Sequence, residues 1–167
     1  EKVVTTIYGL KPDTEYKITA VYAGKEYGPV EFKTDYEYVT LNVREFGAYG
    51  DGEHDDTNAI QCAIMAAPKD SRVLVPEGVY KISSIFLKDN LNLELAKGAV
   101  LSAFTERDKF PVLPGQIETY DEKDYYNLGT WEGNPLDMFS AIVCGINCSN
   151  VTITGEGTID GCTTHDN

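Results

Sequence analysis

His54, Asp55 and Asp56 set a histidine beside two carboxylates. In a cleft such a trio could divide the acid and base steps of a hydrolysis, one carboxyl giving a proton while another takes one. Its neighbours argue for a different task. Residues 46–64, FGAYGDGEHDDTNAIQCAI, read as a strand end, a glycine-rich turn at Asp51-Gly52 and a short helix. Ile60, Ala63, Ile64 and Ala67 recur at helical spacing and give 57–67 one apolar face, with Pro68 closing it. Asp55 and Asp56 then fall at the helix N-terminus, where orphan amides and the helix dipole both favour a carboxylate. Capping accounts for the two aspartates without catalysis, so no active site is expected here. His165-Asp166, near the end of the chain, lies in no supporting motif.

A second group is aromatic. Tyr120, Tyr125, Tyr126 and Trp131 lie in residues 104–138, where Pro111, Pro114, Gly115, Gly129, Gly133 and Pro135 are expected to break regular structure. A loop of this length in a folded domain is usually functional or mobile. Exposed rings in it suit a sugar, whose C–H face packs on an aromatic surface; the other reading is that the rings hold the loop against the domain wall. Trp131 is the first candidate for such a stacking ring, at the point where the loop is expected to re-enter the core. Tyr125 and Tyr126 come second.

The cysteines carry less. Cys62, Cys144, Cys148 and Cys162 lack the close pairing and matching partners of a metal site, so no metal and no cofactor is expected. Thiols filling the interior are the default reading. A Cys144–Cys148 disulfide would require the chain to turn between them. Asn147-Cys148-Ser149 and Asn150-Val151-Thr152 have the form of glycosylation sequons, meaningful only in a eukaryotic secretory host.

The elements that must carry these side chains begin with a hairpin. In residues 1–34, Tyr16, Ile18, Ala20 and Tyr22 alternate along one strand face, and Val30 and Phe32 repeat the pattern after a turn at 24–28. Leu10-x-Pro12-x-Thr14-x-Tyr16 resembles the tyrosine corner of fibronectin type III sandwiches. Only the last three of about seven strands would fit here, so the chain is expected to begin inside a domain. Residues 35–37 form the junction. Val39, Leu41 and Val43 then alternate on one face and lead into the glycine turn.

Beyond the helix, short strands follow at 72–75, 79–82 and 85–87. Residues 90–103, NLNLELAKGAVLSA, and residues 150–161, NVTITGEGTIDG, share an Asn–apolar–x–apolar start, a glycine turn and a new strand, shifted by one residue. They read as successive rungs of one solenoid, with Leu91, Leu93 and Leu95 inward.

Three segments are similar, in the expected order, to glycoside hydrolase family 28, the polygalacturonases: GVYKISSIFLKDNLNLELAKGAVLSA, TWEGNPLDMFSAIV and NVTITGEGTIDG. FGAYGDGEHDDTNAIQCAI resembles the N-terminal signature of the pectin-degrading β-helix proteins, in which strand and helix cover the open end of the coil. The resemblance covers about residues 39–162. It implies an all-β chain: a right-handed parallel β-helix in 38–167, its N-terminal cap helix and first coils, preceded in 1–37 by part of a fibronectin type III-like β-sandwich.

It also implies an inverting glycosidase acting on α-1,4-galacturonosyl bonds, with pectin-type polysaccharide or oligogalacturonide as partner and a secreted or periplasmic location. The family's Asn-Thr-Asp, Asp-Asp, Gly-His-Gly and Arg-Ile-Lys motifs lie after the TIDG rung, and none occurs here. The catalytic residues are therefore expected downstream of residue 167, with none in this chain. A polysaccharide lyase, a phage tail or structural β-helix, or an inert folding unit would share the cap and coils.

Charge bounds these readings. The chain carries 14 Lys and Arg against 27 Asp and Glu, a net −13, which argues against nucleic acid as a partner. No run of 18 apolar residues occurs, so no membrane span is expected, and no signal peptide opens the chain. A net field of this sign repels an acidic polymer. The position before Trp131 is Thr130, where the family often has a base. The loop is accordingly expected to be a wall with a stacking ring and not a carboxylate anchor.

Overall fold

A computed structural model of the chain describes residues 4–117 and 126–164, with the side chain of Tyr126 not described. An antiparallel hairpin comes first, β1 (Glu15–Tyr22) with β2 (Lys25–Lys33), so among the described residues two strands stand where three were expected. Tyr16 pairs with Phe32 in register, and their rings stack with centroids 5.8 Å apart. The Tyr16 hydroxyl accepts a hydrogen bond from the Lys11 amide at 2.7 Å. A two-stranded piece cannot bury both faces, and Val21, Tyr22 and Val30 stay exposed.

The coil begins at β3 (Thr40–Asn42) and continues through β4 (Asp51–Asp55), α1 (Thr57–Ala66), β5 (Arg72–Val75), β6 (Gly78–Ile82) and β7 (Ile85–Phe86). Then come β8 (Leu91–Leu95) and β9 (Ala99–Ala103). An excursion follows, built of β10 (Val112–Leu113), β11 (Gln116–Ile117), β12 (Tyr126–Asn127), β13 (Thr130–Trp131), β14 (Asn134–Pro135) and β15 (Met138–Phe139). The chain returns through β16 (Val143–Cys144), β17 (Val151–Gly155) and β18 (Thr158–Asp160).

Three parallel sheets result: β3–β5–β8–β17, β4–β6–β9–β18 and β7–β16. Successive strands visit the three in turn, which is a right-handed parallel β-helix. Inward side chains stack between rungs. Val73 and Leu93 are paired neighbours with no exposed surface, as are Tyr80 and Leu101. Leu91, Leu93 and Leu95 all point inward as the alternation predicts. Ile153 and Ile159 lie in register with Leu93 and Leu101 yet are each 43% exposed, because no further rung covers them among the described residues.

The repeat is offset differently from the one-residue shift expected. Leu91 pairs with Val151, sixty residues on, but Leu101 pairs with Ile159, fifty-eight on. The turn between β17 and β18 is thus two residues shorter than its counterpart. Gly155 permits this tight approach, since a Cβ there, at φ +112°, would collide with the carbonyl oxygen of Leu95.

The cap departs from expectation in detail. Ile60, Ala63, Ile64 and Ala67 are buried as the helical spacing predicts, and Val43 joins them. Val43 does so from a 3₁₀ turn, Val43–Phe46, and not from a strand; Val39 remains exposed. Asp51-Gly52 does not close a simple turn before the helix. It opens β4, an irregular strand whose register with β6 shifts between Asp51 and Asp55.

The two aspartates divide the capping work. Asp55 Oδ1 accepts from the Thr57 amide at 3.0 Å, while the Asp56 carboxylate makes no cap bond to the helix. Asp56 is buried and reaches back to the glycine turn, accepting from the amides of Tyr49 at 2.6 Å and Gly50 at 2.9 Å. Removing that acceptor leaves the amides of Tyr49 and Gly50 without their partner in a part-buried turn. Asp56→Ala is expected to cost about 3 kcal/mol, read from urea unfolding of the purified chain.

His54 belongs to a separate contact. Its Nδ1 lies 2.7 Å from Asp51 Oδ2, and its ring stacks on Tyr49 with centroids 4.0 Å apart. Asp51 also accepts from the backbone amides of His54 and Glu53, and these bonds, with the imidazole, hold its carboxyl at about 2, below the usual 3.8. The folded-state value is depressed, so this stabilisation is complete above about pH 4 and is lost as pH falls toward 2. Parent and Asp51→Asn should differ in stability at pH 6 and converge near pH 2, as equilibrium unfolding at both values checks.

Candidate functional site

The coil's regular strands leave little room for recognition, and the excursion between β9 and β16 supplies it. Glycines and prolines do not abolish regular structure there, as was expected; they select short antiparallel ladders. β15 pairs with β10, β12 with β11, and β14 with β13. Gly115 and Gly129 let two of these ladders cross. A Cβ on Gly115 would strike the Leu136 backbone, and one on Gly129 would strike the Met138 sulfur. The returning segment between β15 and β16 is anchored by the buried Ser140, whose Oγ is 2.5 Å from that of Ser84.

Trp131 does not sit where the chain re-enters the coil. It stands at the tip of the β13–β14 hairpin, paired with Asn134 across a two-residue turn in which Glu132 and Gly133 both have positive φ. Its ring is 69% exposed, so the coil wall does not hold it. Tyr126 pairs through its backbone with Ile117. Tyr125 and the pair His165-Asp166 lie outside the described residues. His54, Asp55 and Asp56 belong to the cap, where Asp55 and Asp56 serve separate backbone amides and His54 faces Asp51.

Two clefts of about 400 Å³ each flank the returning segment at Phe139–Ser140–Ala141. One is framed by Phe104, Phe110, Phe139 and Ile142 with Arg107 at its side. The other is framed by Leu113, Leu128, Met138 and Ile146, with no charged side chain among the described residues that line it. Around the first, Lys81 Nζ lies 5.4 Å and Lys109 Nζ 5.7 Å from the Phe104 ring centroid. This convergence of cations is invisible to spacing, because Lys81 comes from β6 and the others from the 3₁₀ turn Arg107–Lys109.

Arg44 is likewise found only in three dimensions. It donates to the carbonyls of Tyr49 at 2.6 Å and Glu77 at 2.9 Å and lies over Tyr80. Its role is structural.

The thiols do not share one interior. All four are free; Cys144 alone is buried, which pushes its thiol up, and Cys62 is exposed on the outer side of α1. No group of three or more His, Cys, Asp or Glu residues able to hold a metal occurs among the described residues. No helix among them is long and apolar enough to cross a membrane. Asn150 donates its side-chain amide to Asn90 Oδ1 at 2.8 Å, joining two successive rungs at a coil corner.

Comparison with known proteins agrees with this architecture. Residues 40–142 match a family model described as rhamnogalacturonase A/epimerase, pectate lyase-like. The chain is 32% identical over 165 residues to an exo-poly-α-D-galacturonosidase of Dickeya chrysanthemi, across 92% of this chain and 25% of that protein. The solved family 28 exopolygalacturonase of Yersinia enterocolitica superposes with a TM-score of 0.66 at 31% identity, covering 93% of this chain and 27% of the other. An exopolygalacturonase from Thermotoga maritima gives 0.61 at 31% identity, over 76% and 26%. The chain spans about a quarter of the length of these relatives. With its cap helix, three parallel sheets and matched residues, the chain belongs to the rhamnogalacturonase A/epimerase, pectate lyase-like family.

Proposed function

We propose that the chain is the N-terminal part of the working unit of a polygalacturonase-like glycoside hydrolase that cleaves α-1,4-galacturonosyl bonds of pectin or its oligomers. The observation that carries this reading is the likeness to an exo-poly-α-D-galacturonosidase across 92% of the chain. In this reading the reaction inverts the anomeric centre, with carboxyl groups roughly 6.5–9.5 Å apart to admit a water. Those carboxylates lie outside residues 1–167, and the location is secreted or periplasmic. Residues 1–37 are part of a fibronectin type III-like module, a reading supported by the Tyr16 hydroxyl tie, and 38–167 form the capped start of the β-helix.

Within this chain the contribution to substrate is binding. Trp131 presents an open ring at a hairpin tip, with Tyr125 and Tyr126 as further stacking candidates. Trp131→Ala should weaken oligogalacturonide binding by about 1 kcal/mol in titration calorimetry, with an unchanged melting temperature. An early melt with unaltered affinity would make Trp131 a packing residue. Residues 1–167 alone, incubated with polygalacturonate, should release no reducing ends above buffer. Turnover abolished by Asp55→Asn or Asp56→Asn would contradict the cap assignment.

A further inference from the structure

We propose that the cleft framed by Phe104, Phe110 and Phe139, with Arg107, Lys109 and Lys81 about it, is a subsite for the carboxylate-bearing unit of an acidic oligosaccharide. The chain has nearly twice as many acidic as basic residues, so cations gathered at one place need a reason. Several of the other cations have partners. Lys17, Lys33 and Arg72 are ion-paired, and Arg44 and Lys88 hold backbone carbonyls. Among the described residues Arg107, Lys109 and Lys81 make no ion pair. Lys81 and Lys109 both rest against the Phe104 ring.

Three carboxylates share the neighbourhood, and one of them, Asp55, is the register partner of Lys81 on the adjacent strand and already accepts from the Thr57 amide. Glu106 accepts from the Thr105 amide at 3.1 Å and hydroxyl at 3.2 Å, and Lys81 acts on it only through its field. Asp108 lies in the same 3₁₀ turn as Arg107 and Lys109. Three cations against three anions make this patch neutral in a protein of net −13, and Arg107 is the cation that lines the cleft itself.

The cleft matches a uronate in both its halves. Phenylalanine rings offer a face to sugar C–H groups, and a guanidinium offers a planar fork to a carboxylate. Its volume of about 400 Å³ suits a small ligand. Residues 104–138 were expected to hold no carboxylate anchor because Thr130, and no base, precedes Trp131; on this proposal Arg107, at the base of the same excursion, supplies one. The inference rests on the galacturonan reading only for the identity of the sugar.

Titration calorimetry of the chain with trigalacturonate, its methyl ester and trimannuronate tests it. The parent should bind trigalacturonate at least tenfold tighter than the methyl ester. Arg107→Gln should remove at least tenfold of the trigalacturonate affinity, leave the methyl ester unaffected and keep the parent's melting temperature; Arg107→Lys should restore part of the loss. Unchanged trigalacturonate binding in Arg107→Gln would overturn the cleft and leave the galacturonan reading standing. Loss by Arg107→Gln of trimannuronate binding alone would sustain the cleft and overturn that reading. Binding of neither acid by the parent would overturn the cleft.

Discussion

A parallel ladder has an open first edge whose amides and carbonyls must find partners, and in this chain a ten-residue helix provides them. Gln61 does so with both ends of its amide: Nε2 donates to the Phe86 carbonyl at 3.0 Å and Oε1 accepts from the Phe86 amide at 2.7 Å. The side chain thus replaces the strand missing beside β7. Thr57 Oγ1 accepts from the Ser83 amide at 2.9 Å, and the Asp56 amide donates to the Lys81 carbonyl at 2.8 Å. The helix is held in turn by Lys88, whose ammonium binds the carbonyls of Met65 and Ala67. With polar groups matched, Ile60, Ala63 and Ile64 can close the coil's apolar interior against water. Each later rung rests on the one below.

Recognition is carried away from this stack. The coil is stiff and its inward positions are committed to packing, so variable chemistry can enter only at turns or insertions. The excursion leaves after β9 and rejoins at β16 without disturbing the pairing of β16 with β7 or β17 with β8. It bears the open Trp131 ring and the cleft with its cations, while the scaffold holds both in place.

Periodic features were legible in the sequence because they are local. The alternation of Leu91, Leu93 and Leu95, and the helical spacing of Ile60, Ala63, Ile64 and Ala67, each state which face is buried. Side chains acting across the fold were not. Asp56 looked like a helix cap, but its burial places its carboxylate among the amides of the glycine turn, with Asp55 left to serve the helix. Arg44 reaches the Glu77 carbonyl, and Lys81 meets Lys109 around one ring; no spacing encodes either. Trp131 was misplaced because Glu132-Gly133 was not read as a hairpin turn: two successive positive-φ positions suit Gly133 but are unusual for a glutamate, so the pair carries no clear turn signal.

The insertion has a consequence in polymer terms. Arg72 pairs with Asn92, twenty residues on, whereas Asn92 pairs with Thr152, sixty residues on. Closing a flexible loop costs entropy as the logarithm of its length, so tripling the span adds only about 1 kcal/mol. Part of that is returned by the excursion's own ladders and by the Ser84–Ser140 contact. A rung of this kind can therefore acquire or exchange tens of residues at nearly constant stability. Drift in ligand preference and persistence of the coil are, on that account, almost independent variables.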